Sequence, residues 1–256
     1  MLEKRGQVVV FIIIAVIVVA FIGGYFLLKN TDVADIDSKD ANVVLVSNFV
    51  DSCLEDVTRA GVNYVALQGG YYDKPVLSNY YLFHNVPYYW SNKDGSDVEV
   101  PSLNIIEGEL AKYINDYLPS CLENLDSNAV VEIGDADSSV SIINKAIKVN
   151  LNYPIKIQTE DKTTEIKKFS LEVNLPLKSA HGFAVKIIEE QKKNPNSVPA
   201  SYLADTAIEN SFTFETINLD DNTVLYSLLL NEGTENSLTY NFVSEYNWKV
   251  EEETEI

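Results

Sequence analysis

The feature that most constrains this chain is an uncharged apolar run over residues 8–28, opening Val8-Val9-Val10-Phe11-Ile12-Ile13-Ile14 and ended by Lys29. At the rise of an α-helix such a run spans roughly 30 Å, the thickness of a bilayer's hydrocarbon core. It is apolar on every side, which suits lipid contact all round rather than a helix lying flat at an interface. A transmembrane helix over residues 7–28 is the expectation. An ordinary secretory signal peptide is the alternative, but it calls for a shorter apolar core and a small-residue cleavage site, to which Val18-Val19-Ala20 and Gly23-Gly24 are poor matches. Lys4 and Arg5 precede the run, whereas only Lys29 closes it. The positive-inside bias then leaves residues 1–6 in the cytoplasm and carries the C-terminal part outside the cell. That part, residues 30–256, holds 37 acidic and 16 basic residues of a chain whose net charge is −19. An acidic excess of this size excludes a nucleic-acid binder, which needs a cationic face.

The leader carries a further signal. Lys4-Arg5-Gly6-Gln7 followed directly by an apolar helix resembles the class III signal of archaeal type IV pilins and archaellins. The resemblance implies that a prepilin peptidase cuts after Gly6, that the mature chain starts at Gln7, and that the helix remains as anchor or filament spine. The lipid bilayer, the peptidase and like subunits are then the implied partners. Phe11 stands where bacterial pilins carry a Glu, and an uncleaved signal anchor is the other reading of these residues.

Residues 29–42 are polar and rich in Asp, Asn and Ser, which reads as an acidic juxtamembrane linker that interrupts any helix running out of the membrane. Its four Asp lack the central Gly and spacing of a Ca²⁺ loop. Beyond it, Val46, Phe49, Val50, Cys53, Leu54, Val57 and Ala60 recur at three- and four-residue steps, which predicts an amphipathic helix over residues 43–60 closed by Gly61. A second helix should start after Pro101, capped by Ser102 or Asn104 with Glu107 reaching back, and run to a break at Pro119, with a short turn carrying Cys121, Leu122 and Leu125. Cys53 and Cys121 are the only cysteines. In an oxidising compartment a Cys53–Cys121 disulfide is expected; two buried thiols or a metal pair are the alternatives, the latter short of ligands with only His84 and His181 in the chain.

Between these helices lies an aromatic-dense stretch, Gln68-Gly69-Gly70-Tyr71-Tyr72, Tyr80-Tyr81-Leu82-Phe83-His84 and Pro87-Tyr88-Tyr89-Trp90. The order Cys-Leu, Gln-Gly-Gly-Tyr, Pro-Tyr-Tyr-Trp, Leu-Pro-x-Cys behind a basic-Gly-Gln membrane helix resembles a group of uncharacterised membrane-anchored proteins of small archaea. Two readings of the stretch stand side by side. Gln68, Tyr71, Tyr72, Tyr88, Tyr89 and Trp90 form a binding surface for an extracellular glycan, peptide or subunit, or the rings pack beneath the helices. Alternation along strands would put Tyr71 and Tyr88 on one face and Tyr72 and Tyr89 on the other.

From residue 129 the pattern turns to strands, over 130–133, 140–149, 153–158 and 165–175, then helices over 179–193 and 199–209, then strands over 211–219, 223–230 and 237–246. The fold class is therefore α+β: an N-terminal transmembrane helix, a helical Tyr-rich region over 43–128, and over 129–256 an antiparallel sheet with helices on one face. No nucleophile elbow, metalloprotease motif, phosphate loop or dinucleotide fingerprint occurs. Acid pairs such as Asp135 with Asp137, or Glu189 with Glu190, are what 38 acids produce by chance. The expectation is a surface structural protein, pilin-like and processed after Gly6, without catalytic residues, cofactor or metal; the alternative is a membrane-tethered module binding through residues 68–90.

Overall fold

The computed structural model describes residues 41–91, 98–123, 125, 129–159, 162–246 and 248. The leader, the expected span over 7–28 and Gly6 and Gln7 lie outside them, and among the described residues no helix is long and apolar enough to cross a membrane. The described residues form one compact unit, in which those before and after residue 129 share a core.

Helix α1 (Ala41–Leu67) buries Val43, Val46, Val50, Leu54 and Val57 on one face, as its periodicity requires. It runs through Gly61 rather than ending there. A Cβ at Gly61 would stand 2.6 Å from Tyr113 Cδ1, so this glycine serves a close ring-on-backbone contact. The helix ends instead at Gly69 and Gly70, with φ of 52° and 94°, the left-handed conformation that favours glycine. Strands β1 (Ser78–Tyr81) and β2 (His84–Trp90) follow as an antiparallel hairpin. Helix α2 (Leu103–Leu122) is capped by Ser102, whose hydroxyl accepts from Ile105 N–H. Pro119 lies inside its last turn without ending it. Glu107 does not reach back to the cap; its carboxylate accepts from Ile142 N–H at 2.7 Å, tying α2 to the strand beside it. A disulfide between Cys53 and Cys121, with Cα atoms 5.9 Å apart, staples α1 to α2.

Strands β3 (Val130–Ile133) and β4 (Asp137–Ile142) line up along successive halves of β5 (Ile147–Gln158), and β6 (Thr163–Val173) covers its other edge. Strand β5 alternates cleanly, with Ile147, Val149, Leu151, Tyr153, Ile155 and Ile157 buried and polar residues between them. The turn at 143–146 divides the strand expected over 140–149 into the end of β4 and the start of β5. Helices α3 (Leu177–Lys193) and α4 (Ala200–Asn210) lead into β7 (Thr213–Asn218), β8 (Thr223–Leu230) and β9 (Leu238–Glu245).

The expected arrangement, one antiparallel sheet in the C-terminal half, needs correction. There are two sheets, and the one with order β1-β2-β9-β8-β7 is mixed, because β2 joins β9 in parallel. The Tyr-rich hairpin thus completes a sheet whose other strands come from the end of the described chain. Helix α1 packs on β6 of one sheet and β9 of the other, and α3 packs on β9 as well. A continuous core runs through both sheets and all four helices.

Candidate functional site: the hairpin tip and an aromatic band

The residues picked out in the sequence do not form one surface. Gln68 is buried, its Nε2 donating to the carbonyls of Tyr71 and Tyr72 at 3.2 Å and its Oε1 accepting from Asn85 N–H at 2.9 Å. With both ends of its amide used, it clamps the end of α1 to the hairpin and is not a ligand-binding group. Tyr89 is also core. Its hydroxyl donates to the Gly69 carbonyl at 2.7 Å and lies 2.6 Å from the Tyr240 hydroxyl, and its ring stacks on Phe242. Burial pushes the Tyr89 hydroxyl pKa well above its ordinary value. Phe242 stacks in turn on Tyr226, whose hydroxyl meets that of Tyr246, which donates to Gln191 Oε1 at 2.6 Å. The Tyr246 hydroxyl is pushed up to about 12, chiefly by burial.

Tyr88, the next residue along β2, points to the opposite face and stands half-buried against Val86, Leu225 and Val243. Trp90 is half-buried, with Lys192 Nζ 5.9 Å from its ring centroid. The alternation expected of Tyr88 and Tyr89 is therefore present. That expected of Tyr71 and Tyr72 is not, because both precede β1 in a turn. Tyr71 lies near enough to Tyr89 and Tyr240 to raise both their pKa values, whereas Tyr72 faces α2.

Tyr72 belongs to a second group of rings. Its ring makes edge contacts with Tyr64 at 6.0 Å, Tyr113 at 5.3 Å and Tyr117 at 6.3 Å, and Tyr113 stacks on Tyr117 at 4.4 Å. Tyr64 also meets the His84 ring edge-on at 5.4 Å. Desolvation lowers the His84 pKa. The Tyr72 hydroxyl donates to Asp116 Oδ2 at 2.9 Å, and its pKa is raised first by desolvation and then by that bond. The backbone holding it is fixed by Glu109, a buried carboxylate whose Oε2 accepts from Tyr72 N–H at 2.9 Å and Asp73 N–H at 2.8 Å. Lys112 closes the arrangement on Asp73 and Glu109, bonds that raise its pKa. The result is an aromatic band from Tyr117, exposed on α2, through Tyr113, Tyr72 and Tyr64 to His84 in the hairpin.

Next to His84 the band meets, among the described residues, two consecutive non-glycine residues with positive φ. Leu82 and Phe83 form the two-residue turn between β1 and β2, with φ of 42° and 70°. A hairpin turn with both central residues in the left-handed region is normally built from Asn and Gly, and a bulky side chain there costs roughly 1–2 kcal/mol per residue. The side chains are not hidden in return: Leu82 is 65% and Phe83 85% exposed, and Tyr80 is exposed just behind them on β1. Strain held in a loop that also displays large apolar groups points to use of those groups. Sequence reading passed over Leu82 and Phe83, although two large apolar residues at the apex of a Tyr-Tyr…His hairpin were the available signal. It also left out Tyr64, Tyr113 and Tyr117, whose convergence with Tyr72 needs the fold.

Among the described residues no group of three or more His, Cys, Asp or Glu is placed to hold a metal ion. Asp135, Asp137 and Glu189 are exposed, and Glu190 pairs with Lys193. His181 is buried and bonded through Nε2 to the Pro101 carbonyl at 2.7 Å, far along the chain from His84. An open depression beside the 143–146 turn is lined by Ile142, Ile143 and Ala146 together with Lys145, Glu172 and Lys178. No protein-family model, curated protein or solved structure matches the chain.

Proposed function

We propose that this chain is a membrane-anchored surface protein whose folded unit works by contact rather than by catalysis, docking through the β1–β2 hairpin and the aromatic band behind it. In this reading residues 8–28 hold the chain in the bilayer, the leader is removed after Gly6 in the pilin-like manner, and the acidic α+β domain faces outward. The observation that carries it is the strained turn with Leu82 and Phe83 held out in solvent. A hairpin serving only the fold would be more stable with Asn-Gly at the same positions. The binding-module reading is thereby moved from the six residues first considered to Leu82, Phe83 and the band Tyr64, Tyr72, Tyr113 and Tyr117.

The test is a photo-crosslinking phenylalanine analogue at position 83 of the full chain in intact cells. A discrete adduct at 83, missing when the analogue replaces the equally exposed Ile208, supports docking at the tip. No adduct at 83, or the same adducts at both positions, removes the reading. Mass spectrometry of the mature N-terminus checks the leader, where a chain starting at Gln7 is expected.

A further inference from the structure

We propose that Tyr72 and Asp116 form a proton-coupled oxidation site, at which an oxygen-centred radical arriving at the exposed Tyr117 is quenched and leaves a neutral tyrosyl radical on Tyr72. A phenol gives up an electron readily only when its proton leaves in the same event, because the radical cation that would otherwise form is a very strong acid. A base within hydrogen-bond reach of a tyrosine hydroxyl therefore decides where an oxidised protein keeps its radical. Among the described residues one tyrosine hydroxyl donates to a carboxylate, that of Tyr72, to Asp116 Oδ2 at 2.9 Å. Glu109 fixes the backbone from which this hydroxyl is presented, accepting from Tyr72 N–H at 2.9 Å.

The rings of the buried stack lack such a base. Tyr89 donates to the Gly69 carbonyl and Tyr246 to the Gln191 amide oxygen, acceptors that take up no proton at neutral pH. Tyr240 and Tyr226 are bonded to those same two hydroxyls. Trp90 is disfavoured twice over. Its Nε1 is buried with no acceptor among the described residues, and Lys192 Nζ, 5.9 Å from the ring centroid, sets a positive charge beside any radical cation formed there.

The band supplies the way in. Tyr117 is exposed and stacks on Tyr113 at 4.4 Å, and both stand edge-on to Tyr72, at 6.3 and 5.3 Å. Contacts this short let a ring oxidised at the surface be refilled by its neighbour, until the vacancy reaches the tyrosine that can shed its proton. Desolvation and the Asp116 bond keep the Tyr72 hydroxyl protonated at neutral pH, so electron and proton leave it together. In the overall step the oxidant R–O• gains one electron and becomes R–O⁻, the Tyr72 O–H bond breaks, and the proton passes to Asp116 Oδ2. Asp116 is exposed and returns that proton to water, from which R–O⁻ takes one up to leave as R–OH.

The experiment exposes the full-length chain in detergent micelles to peroxyl radicals from a water-soluble azo initiator. Radical formation is followed by electron paramagnetic resonance, and a nitroso spin trap marks the oxidised residue for peptide mass spectrometry. The expected adduct is at Tyr72. Asp116→Asn keeps a hydrogen-bond acceptor but no base, and should slow radical formation at Tyr72 roughly a hundredfold. Tyr72→Phe keeps the ring contacts and should leave the adduct on Tyr117, where the oxidant enters. Wild-type adducts spread evenly over exposed tyrosines such as Tyr80 and Tyr117, or gathered on Trp90 or Trp248, overturn the proposal, and that map requires no variant to fold. An Asp116→Asn rate equal to that of wild type overturns it as well.

Discussion

Two groups of aromatic rings lie on either side of the same short segment and are treated in opposite ways. Tyr89, Phe242 and Tyr226 form a buried stack at centroid spacings of 5.1 and 5.0 Å, with the tyrosine hydroxyls bonded to Gly69, Tyr240 and Tyr246. Tyr64, Tyr72, Tyr113 and Tyr117 form a band that surfaces at Tyr117 and leads to Phe83. In the stack, backbone, burial and hydrogen bonding agree, as folding stability requires. At the tip they conflict, since the backbone adopts a conformation that Leu and Phe disfavour and the apolar groups stay wet. Residue type alone does not separate a core from a contact surface; agreement or conflict between these levels does.

The comparison can be broken most directly at the stack. Tyr89→Ala should cost about 3–5 kcal/mol, seen as a large drop in thermal midpoint, because it leaves a cavity and removes the partner of the buried Tyr240 hydroxyl. A small effect would mean the stack is not the core it resembles. Cys53 and Cys121 lie 68 positions apart and enclose the hairpin. Replacing both with Ser should lower stability by about 4 kcal/mol in denaturant titrations, by freeing that loop in the unfolded chain.

Smaller effects sharpen the contrast. Leu82→Asn combined with Phe83→Gly should raise stability by about 1–2 kcal/mol while abolishing the position-83 contact, since it relieves the turn and removes the display together. A loss of stability would show that the tip packs within the fold. Tyr117→Ala, at the exposed end of the band, should change stability by less than about 1 kcal/mol. The smallest expected effect is a pH dependence. Burial lowers the pKa of His181 from 6.5, so between that value and its folded pKa the unfolded chain binds more protons. Its contribution is therefore complete above about pH 6.5 and is lost as the pH falls through that window. Melting curves of wild type and His181→Gln should diverge in their acid slopes and in no other pH range.

Much of this fold is written locally. Strands β3 and β8 coincide with the apolar segments that predict them, whereas β5 runs unbroken from Ile147 to Gln158 through residues 150–152, where the pattern reads as a gap between two strands. The disulfide was also legible, because both cysteines fall on helical segments in a chain with no others. What escaped was non-local. Gly61 reads as a helix stop until Tyr113 is seen against its backbone. Glu107 reads as a capping residue until the Ile142 N–H arrives from a strand 35 positions later. The site was half legible: its aromatic density was plain, but division into stack and band depends on which rings α2 and β9 bring to each side.

The parallel pairing of β2 with β9 has a consequence for how the protein is made. Tyr89 and Tyr240 are 151 positions apart, yet each completes the other's hydrogen bonding. While the chain is being synthesised, N-terminus first, the hairpin strand has no sheet to join until nearly all of the described chain has been made. Contacts so distant in sequence slow folding and leave apolar segments open to aggregation meanwhile. The disulfide can close far earlier, once residue 121 has been made, and hold α1, the hairpin and α2 together as a waiting nucleus. Maturation should therefore run in two stages, with oxidation preceding sheet closure, and pulse-labelled chains should acquire the Cys53–Cys121 bond before they acquire protease resistance.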